Sequence, residues 1–332
     1  MTRADLTVRP AGAGDEDAVL AVCARALQWA GDGGDAAFFH WKHRLNHFGS
    51  SPVWVAEDLV DGQPALVGVR VMMLWELLRP SDGTTLRMAR AVDTATLPSH
   101  QGRGIFSTLT MAAVDALTRE GRHAIFNTPN AKSGPGYLKM GWSSLGRVPV
   151  RVRPRRPGAL VAMTRGRTAA ERWGLPCDVG LPPSVALADQ GRIEALLASV
   201  PKPARWHTPV SVGYLRWRSG FEPLQCRFAL IGSEVEDGLV LFRVRQRGGL
   251  RQLSLLHVLA PARGPSPRRA IGRLLKATGS DLAMATGAEA GLGAMLAPVP
   301  RIGPELLWRP LADPGVPSPA DLSLPLGALE LF

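Results

Sequence analysis

The sequence is poor in cysteine and contains no long apolar run. Its 332 residues include three cysteines, Cys23, Cys177 and Cys226, which lie far apart. Such spacing excludes a disulfide framework and a Cys-x-x-Cys site. No window approaches the ~18 apolar residues that a membrane-spanning helix needs, and the first residues lack the apolar segment of a secretory signal. We therefore expect a cytoplasmic protein that does not contact a membrane.

Acidic residues are in the minority, since 39 lysines and arginines against 28 acids give a net charge of +11. Five arginines fall in one stretch, at Arg147, Arg151, Arg153, Arg155 and Arg156. A nucleic-acid site would place such charges beside stacking aromatics or on a recognition helix, and this stretch has neither. We predict a solvated strand edge and linker, with no nucleic-acid partner. Weak attraction of a polyanionic cofactor is the alternative.

The motifs of several enzyme classes are absent as well. No Walker sequence, no Ser-His-Asp order and no zinc-ligand spacing stands out. His40, His43 and His47 follow one helical face, but three histidines on one helix rarely reach one ion. We therefore predict no metal site, and we interpret this segment as an amphipathic helix that buries three apolar residues, Phe38, Trp41 and Leu45. A helix that borders a substrate pocket is the alternative.

The apolar pattern of the first half predicts alternating strands and helices. A length of 332 residues suits about two domains. Period-two and helical spacings place helices at 17–27, 36–46 and 105–120, and strands at 6–10, 53–57, 66–77, 87–96, 124–127 and 142–152. We predict an α/β (α+β) fold with a central mixed, mostly antiparallel sheet flanked by helices.

The most informative stretch ends one predicted strand and begins a helix. Gln101-Gly102-Arg103-Gly104-Ile105-Phe106 follows the strand end and Pro98. Glycines let backbone N–H groups approach a ligand closely, and the helix start adds unpaired N–H donors and a positive dipole end. This combination is typical of a loop that holds a phosphate group.

The second half repeats the order of elements in a diverged form, with helices at 191–200 and 267–278 and strands at 239–244, 250–259 and 282–285. We predict two tandem domains from an internal duplication. Residues 1–152 form the catalytic domain, 153–184 an Arg/Pro-rich connection and 185–332 a degenerate second copy. Pro261 and Pro265 stand where the first copy has glycines, and proline lacks an N–H donor. We therefore expect one cofactor, not two.

The first half resembles the GNAT superfamily of acyl-CoA-dependent N-acetyltransferases. Val8-Arg9-Pro10-Ala11 with Gly14-Asp15-Glu16-Asp17 is similar to the first strand and helix of the family. Gln101–Ile105 matches its Q/R-x-x-G-x-G/A pyrophosphate loop, in which Phe106 replaces the last small residue. That replacement resembles a branch which includes relatives of the mycobacterial enhanced-intracellular-survival acetyltransferases.

A third stretch completes the resemblance. Asn130 with Tyr137-Leu138-Lys139-Met140-Gly141-Trp142 is similar to the later N…Y-x-K-x-G-F/W signature, and the likeness covers roughly residues 5–152. The resemblance implies an acyltransferase that moves an acetyl group from acetyl-CoA, as co-substrate, to a primary amine of a small molecule or metabolite. A catalytically silent CoA-binding sensor or scaffold is the alternative, and an acyltransferase that binds RNA through its positive charge is a further one.

The resemblance also implies where the cofactor binds. The strand end Thr94, Ala95 and Thr96 would contact the pantetheine arm. The loop residues would surround the pyrophosphate, namely Gln101, Gly102, Arg103, Gly104, Ile105 and Phe106. Arg103 can supply a charge to the phosphates, or it can be a solvent-facing turn residue. Asn130 would bind the cofactor arm; a helix cap or turn role for Asn130, with Asn127 in its place, is the alternative.

Two residues are candidates for the proton transfers. The resemblance implies that Tyr137 is the general acid for the departing thiolate, whereas a packed aromatic is the alternative. Asp93 lies on the strand that would line the cofactor cleft, so a partly buried carboxylate with a raised pKa at this position can act as the base. Glu57 and Glu76 lie on neighbouring predicted strands, and we interpret them as paired or solvent-facing charges.

Overall fold

A computed structural model describes residues 6–29, 33–166, 169–286, 297–299, 302–312 and 317–329. The chain divides into two compact units. Unit 1 comprises Met1–Leu77, Thr85–Gly146 and Glu305–Val316. Unit 2 comprises Leu78–Thr84, Arg147–Pro304 and Pro317–Phe332.

The elements are numbered here in chain order. The strands are β1 Thr7–Pro10, β2 Val53–Val60, β3 Gln63–Leu78, β4 Thr85–Thr96, β5 Ala124–Asn127, β6 Ser143–Arg147, β7 Val150–Pro154, β8 Trp206–His207, β9 Arg227–Leu230, β10 Leu239–Arg247, β11 Leu250–Leu259, β12 Leu282–Thr286, β13 Ala297–Val299, β14 Glu305–Pro310 and β15 Leu322–Ser323. The helices are α1 Glu16–Leu27, α2 Gly34–His43, α3 Ile105–Arg119, α4 Gly134–Lys139, α5 Pro157–Gly166, α6 Pro183–Ala186, α7 Gln190–Ser199, α8 Val212–Ser219, α9 Pro267–Ala277 and α10 Leu326–Leu329.

The sheet of unit 1 has the order β1-β2-β3-β4-β5-β14-β6. Strands β4 and β5 are parallel, and α3 connects them. The centre of β3 is buried on both faces, in agreement with its run Val67–Trp75, which is apolar apart from Arg70. Helices α1 and α3 contribute Val22 and Leu109 to the core, against strand residues such as Val55. This packing holds α1 and α3 against the sheet.

The sheet of unit 2 has the order β13-β7-β12-β11-β10-β9. Strands β10 and β11 form an antiparallel hairpin, and β11 is parallel to β12 across α9. Helix α9 buries Ile271, Leu274 and Leu275 in the core of this unit. The order of strands, helix and parallel strand is the one predicted for a second copy. The duplication itself stays a prediction.

The fold class is confirmed, because both units have mixed sheets flanked by helices. The single strand predicted at 142–152 is wrong, since β6 and β7 belong to different sheets. The units also differ from the predicted domain bounds. Residues 305–316 belong to unit 1, and the predicted connection contains α5, whose Ala159 and Met163 are buried in unit 2. Strand partners are chosen by tertiary packing, so a local apolar pattern does not reveal them.

None of the helices in the described ranges is both long enough and apolar enough to cross a membrane.

Candidate active site

The glycine loop adopts the conformation that its sequence predicts. After a 3-10 turn at Pro98–His100, Gly102 has φ +77° and Gly104 has φ +79°. These left-handed conformations favour glycine. A Cβ at either position would meet no atom within 4 Å, so the loop surface is open there. Helix α3 follows directly, and its first N–H groups have no partner within the helix. The loop thus has the form of an anion-binding helix start.

The end of β4 extends beyond its parallel neighbour. The β4–β5 ladder pairs only Met88–Arg90 with Ala124–Phe126. Asp93 then has φ +42°, a left-handed residue within a strand, and Thr94–Thr96 follow it. Gln101 donates from Nε2 to the Thr96 carbonyl over 3.2 Å, which ties the loop to this strand end. The predicted pantetheine contacts therefore lie beside the glycine loop and outside the ladder.

Arg103 has a protein partner in this structure. Its Nη2 lies 2.7 Å from Asp58 Oδ2, and His100 Nε2 lies 3.6 Å from the same oxygen. Burial raises the pKa of Asp58, but the Leu59 amide and the Arg103 guanidinium outweigh that effect and lower it. Arg103 therefore has an acidic partner in this structure, although its side chain is partly exposed to solvent. Asp58 holds its guanidinium beside the loop.

Tyr137 lies in an aromatic cluster next to the loop. It is buried on α4, and its ring meets the ring of Phe106 edge-on at 5.3 Å between centroids. Trp142 packs on it at 5.2 Å. A Cβ at Gly136 would come within 2.9 Å of the Phe106 ring, so glycine leaves room for the bulkier loop residue. Phe106 therefore packs towards α4 and Tyr137.

The two asparagines that are candidates for contact with the cofactor arm lie in different surroundings. Asn130 is exposed, and its Oδ1 accepts from the Lys132 and Ser133 amides at 3.0 Å. This is the turn role, which orders the chain before α4. Asn127 is buried at the end of β5, and its Oδ1 has no hydrogen-bond partner. Because a buried polar atom without a partner is costly, Asn127 is the better candidate to bind a cofactor.

The electrostatics of Asp93 differ from those that the base role requires. Its Oδ2 lies 2.6 Å from Lys42 Nζ and 2.7 Å from His43 Nε2. Burial raises the pKa of Asp93, but the Lys42 ammonium and the His43 ring outweigh it and hold that pKa well below its ordinary value. The expected raised pKa is therefore wrong, because Asp93 is the counter-ion of a buried lysine. A carboxylate with so low a pKa is a weak base.

The histidine segment follows the predicted amphipathic pattern at Phe38 and Trp41, which are both buried, and departs from it at Leu45. His43 is buried, with Nδ1 3.0 Å from Ser51 Oγ, and burial lowers its pKa to about 4. His40 is exposed, while Leu45, expected in the core, is 58% exposed. The structure has α2 end at His43, and Leu45 therefore leaves the buried helical face. Within the described ranges, no three His, Cys, Asp or Glu residues are placed to hold a metal.

Arg70 is a site residue that the sequence reasoning missed. It is fully buried on β3, and its Nη1 donates to Thr94 Oγ1. Its guanidinium lies 5.3 Å from the Tyr137 ring centre and 5.8 Å from that of Phe106. The sequence did contain a signal for Arg70, since it is the one arginine inside the otherwise apolar run Val67–Trp75. Charged residues are rarely fully buried unless they are paired.

Comparison with known proteins agrees with this geometry. Residues 7–145 match the family described as acetyltransferase (GNAT) domain. A search of curated proteins found no match. Among solved structures, a probable N-acyltransferase of unknown function from Enterococcus faecalis V583 has a TM-score of 0.63 at 14% identity and covers 92% of this chain and 72% of its own.

Two further structures share the fold over the same extent. A GCN5-related N-acetyltransferase from Kribbella flavida has a TM-score of 0.57 at 15% identity, covering 92% of this chain and 71% of its own. Eis1 from Mycobacterium abscessus has a TM-score of 0.55 at 16% identity, with 92% and 73% covered. The family match therefore assigns residues 7–145 of this chain to a GNAT acetyltransferase domain.

Proposed function

We propose that the protein transfers an acetyl group from acetyl-CoA to a primary amine of a small molecule, directly and within a ternary complex. The observation that carries this proposal is the open loop of Gly102 and Gly104 at the start of α3, next to the buried Tyr137 and to the end of β4 that extends beyond its ladder with β5. The three distant cysteines suit a reducing compartment, and we place the reaction in the cytoplasm.

Each part of the cofactor has a matching part of the site. Backbone N–H groups of Gln101–Phe106 bind the pyrophosphate, as helix starts bind phosphate generally. Thr94, Ala95 and Thr96 pair with the pantetheine amides along the free strand edge. Asn127, with its buried and unpartnered Oδ1, takes the place that the signature gives to Asn130 and accepts from an amide of the arm.

The reaction needs positioning and one acid. The amine nitrogen, after losing its ammonium proton, attacks the thioester carbonyl carbon. The C–S bond then breaks, and the CoA thiolate takes the hydroxyl proton of Tyr137. The new amide nitrogen releases its second proton to solvent, from which the Tyr137 phenolate recovers its hydroxyl proton. Holding the two reactants together supplies much of the rate, and a positioned acid adds about 10²–10⁴-fold.

Isothermal titration with acetyl-CoA tests the loop. We expect the double variant Gly102→Asp/Gly104→Asp to bind at least about a hundredfold more weakly, because two carboxylates would face the phosphates where the helix dipole attracts them. Gly33→Asp is a matched control. Gly33 also precedes a helix with φ +81° and open space around a Cβ, so its variant carries the same backbone strain and should bind normally. Undiminished binding by the double variant would contradict the loop assignment.

The acceptor can be identified by measuring acetyl-CoA consumption against a library of primary amines. Turnover with at least one amine is expected, and consumption that no amine raises above the rate of hydrolysis would favour a CoA-binding sensor.

A further inference from the structure

Arg70 carries a buried positive charge whose donors are only partly used. Its Nη1 donates to Thr94 Oγ1, whereas Nε and Nη2 have no hydrogen-bond partner. None of the carboxylates in the described part of unit 1 pairs with it. Asp93 is held by Lys42, and Asp58 is held by Arg103. A buried charge without a counter-ion is strongly unfavourable, so an anion that these described carboxylates do not supply would stabilise this arginine.

The aromatic neighbours stabilise the guanidinium only in part. The Tyr137 and Phe106 rings lie 5.3 and 5.8 Å from its centre, within the range of cation–π attraction. Such contacts act on the charge and leave the N–H groups in the guanidinium plane without acceptors. The two unpartnered nitrogens, Nε and Nη2, still need oxygen atoms.

The edge formed by Nε and Nη2 has the geometry to donate to two oxygen atoms of one acceptor. The Nε–H and one Nη2–H of an arginine point in parallel along the same side, which matches the two oxygens of a carboxylate. The Thr94 hydroxyl accepts from Nη1 at the other end of the guanidinium. This bond fixes the orientation of the fork, the pair of donors formed by Nε and Nη2. Nε and Nη2 are themselves buried, whereas Thr94 and Phe106, which contact the guanidinium, are both partly exposed. A ligand therefore reaches these nitrogens past one of the two side chains.

We propose that Arg70 binds a carboxylate of the substrate, carried either by the acyl group or by the amine acceptor. The assignment rests on the proposed function, because the contacts with Thr94 and Tyr137 put Arg70 at the reacting end of the acyl-CoA. The pyrophosphate belongs to the backbone of the glycine loop. A dicarboxylic acyl group and an amino acid acceptor present the same chemistry to the fork.

Two series of measurements on the whole chain test the assignment and separate the two sources. The first series titrates CoA, acetyl-CoA, malonyl-CoA and succinyl-CoA. The second compares the kcat/KM of acetyl transfer to phenylalanine with that to phenethylamine, and to lysine with that to cadaverine. A charge-assisted bidentate pair predicts that the carboxylated partner is preferred by about tenfold or more in one series.

Variants tie the preference to the fork. Arg70→Met should remove it while CoA affinity changes by less than about threefold, since the phosphates are bound elsewhere. Arg70→Lys keeps the positive charge but lacks the fork, so this variant should retain only part of the preference for the carboxylated partner. Arg90→Met, at a second fully buried arginine that stacks on Phe126 at 4.8 Å, is the matched control and should keep the preference.

The outcomes separate this assignment from the proposed function. A wild-type chain that binds CoA but shows neither preference, or a preference that survives in Arg70→Met, overturns the assignment alone. A wild-type chain that does not bind CoA overturns the proposed function and the assignment with it. If Arg70→Met does not fold, the wild-type series and Arg70→Lys decide whether Arg70 binds the carboxylate.

Discussion

Both units contain a strand, a turn, an amphipathic helix and a parallel strand, and they differ in what the turn offers to an anion. In unit 1 the turn has Gly102 and Gly104 with positive φ, and α3 begins with free N–H donors. In unit 2 the turn has Pro261 and Pro265, and α9 begins with Pro267. Proline supplies no N–H, so the second turn has fewer backbone donors to offer a phosphate.

Unit 2 presents side-chain cations where unit 1 presents backbone donors. A cleft of about 1110 Å³ near the start of α9 is lined by Arg153, Arg268, Arg269 and Arg273. Arg153 donates to the Arg268 carbonyl at 2.9 Å, and Gly272 gives its guanidinium space. The same order of elements therefore presents different chemistry to an anion in the two units, and the residues of the turn decide which.

The chain has two tyrosines, one in each unit. Replacing each by phenylalanine compares the two units most directly. Tyr137→Phe should lower kcat by about 10²–10⁴-fold, because the departing thiolate loses its acid. Acetyl-CoA affinity should stay nearly constant, since the ring still packs on Phe106 and Trp142. Steady-state kinetics together with titration check both expectations.

Tyr214→Phe is the control in unit 2. It removes a hydroxyl that lies 3.1 Å from His257 Nε2, which should reduce stability by about 1 kcal/mol and leave kcat unchanged. If the two variants had equal kcat, Tyr137 would not be the acid. A wild-type chain that binds acetyl-CoA without turnover would instead favour the silent sensor.

The ends of β4 and β11 are each anchored by a side chain from a preceding helix, and the chemistry of the two anchors differs. In unit 1 an ion pair joins Asp93 to the buried Lys42, whereas in unit 2 a neutral bond joins His257 to Tyr214. Asp93→Asn should destabilise unit 1 by about 3–5 kcal/mol, because it leaves a buried ammonium without a counter-ion. Asparagine tolerates the left-handed backbone at this position, so the variant isolates the charge.

Urea unfolding of Asp93→Asn measures this loss, and the double variant Lys42→Met/Asp93→Asn should recover much of it. A single variant as stable as the wild type would show that the ion pair contributes little.

The two units share one acid-sensitive feature, a buried neutral histidine. Burial lowers the pKa of His43 to about 4 and that of His257 to about 3. Both values lie below the ~6.5 of an unfolded chain. The folded state therefore binds these protons less readily, and stability is complete above pH ~6.5. It should fall by about 1.4 kcal/mol per pH unit for each histidine as the pH drops from ~6.5 to ~4.

Urea titrations at several pH values check this slope. His43→Gln and His257→Gln should each remove the part of the pH slope that the replaced histidine contributes. His40→Gln, at an exposed position of the same helix as His43, should leave the slope intact. A slope that all three variants share with the wild type would exclude the buried histidines as its source.

Much of the fold followed from local patterns. The bounds of β5 and β11 agree with the predicted strands at 124–127 and 250–259, and α3 starts at Ile105 as predicted. Period and turn chemistry act over a few residues, so one sequence suffices to read them. The break between β6 and β7 was missed, because both flanks are equally suited to extended structure and only their sheet partners differ.

The sequence by itself determined the glycine loop, the tyrosine beside it and the loss of backbone donors in the second turn, since each depends on residue type at a short spacing. Only the tertiary structure decided which partners the charged groups have. It joined Asp93 to Lys42 across 51 positions and brought Arg70 to Thr94 across 24. A side chain's pKa and its free donors depend on neighbours that are distant in the chain, and no local pattern contains them.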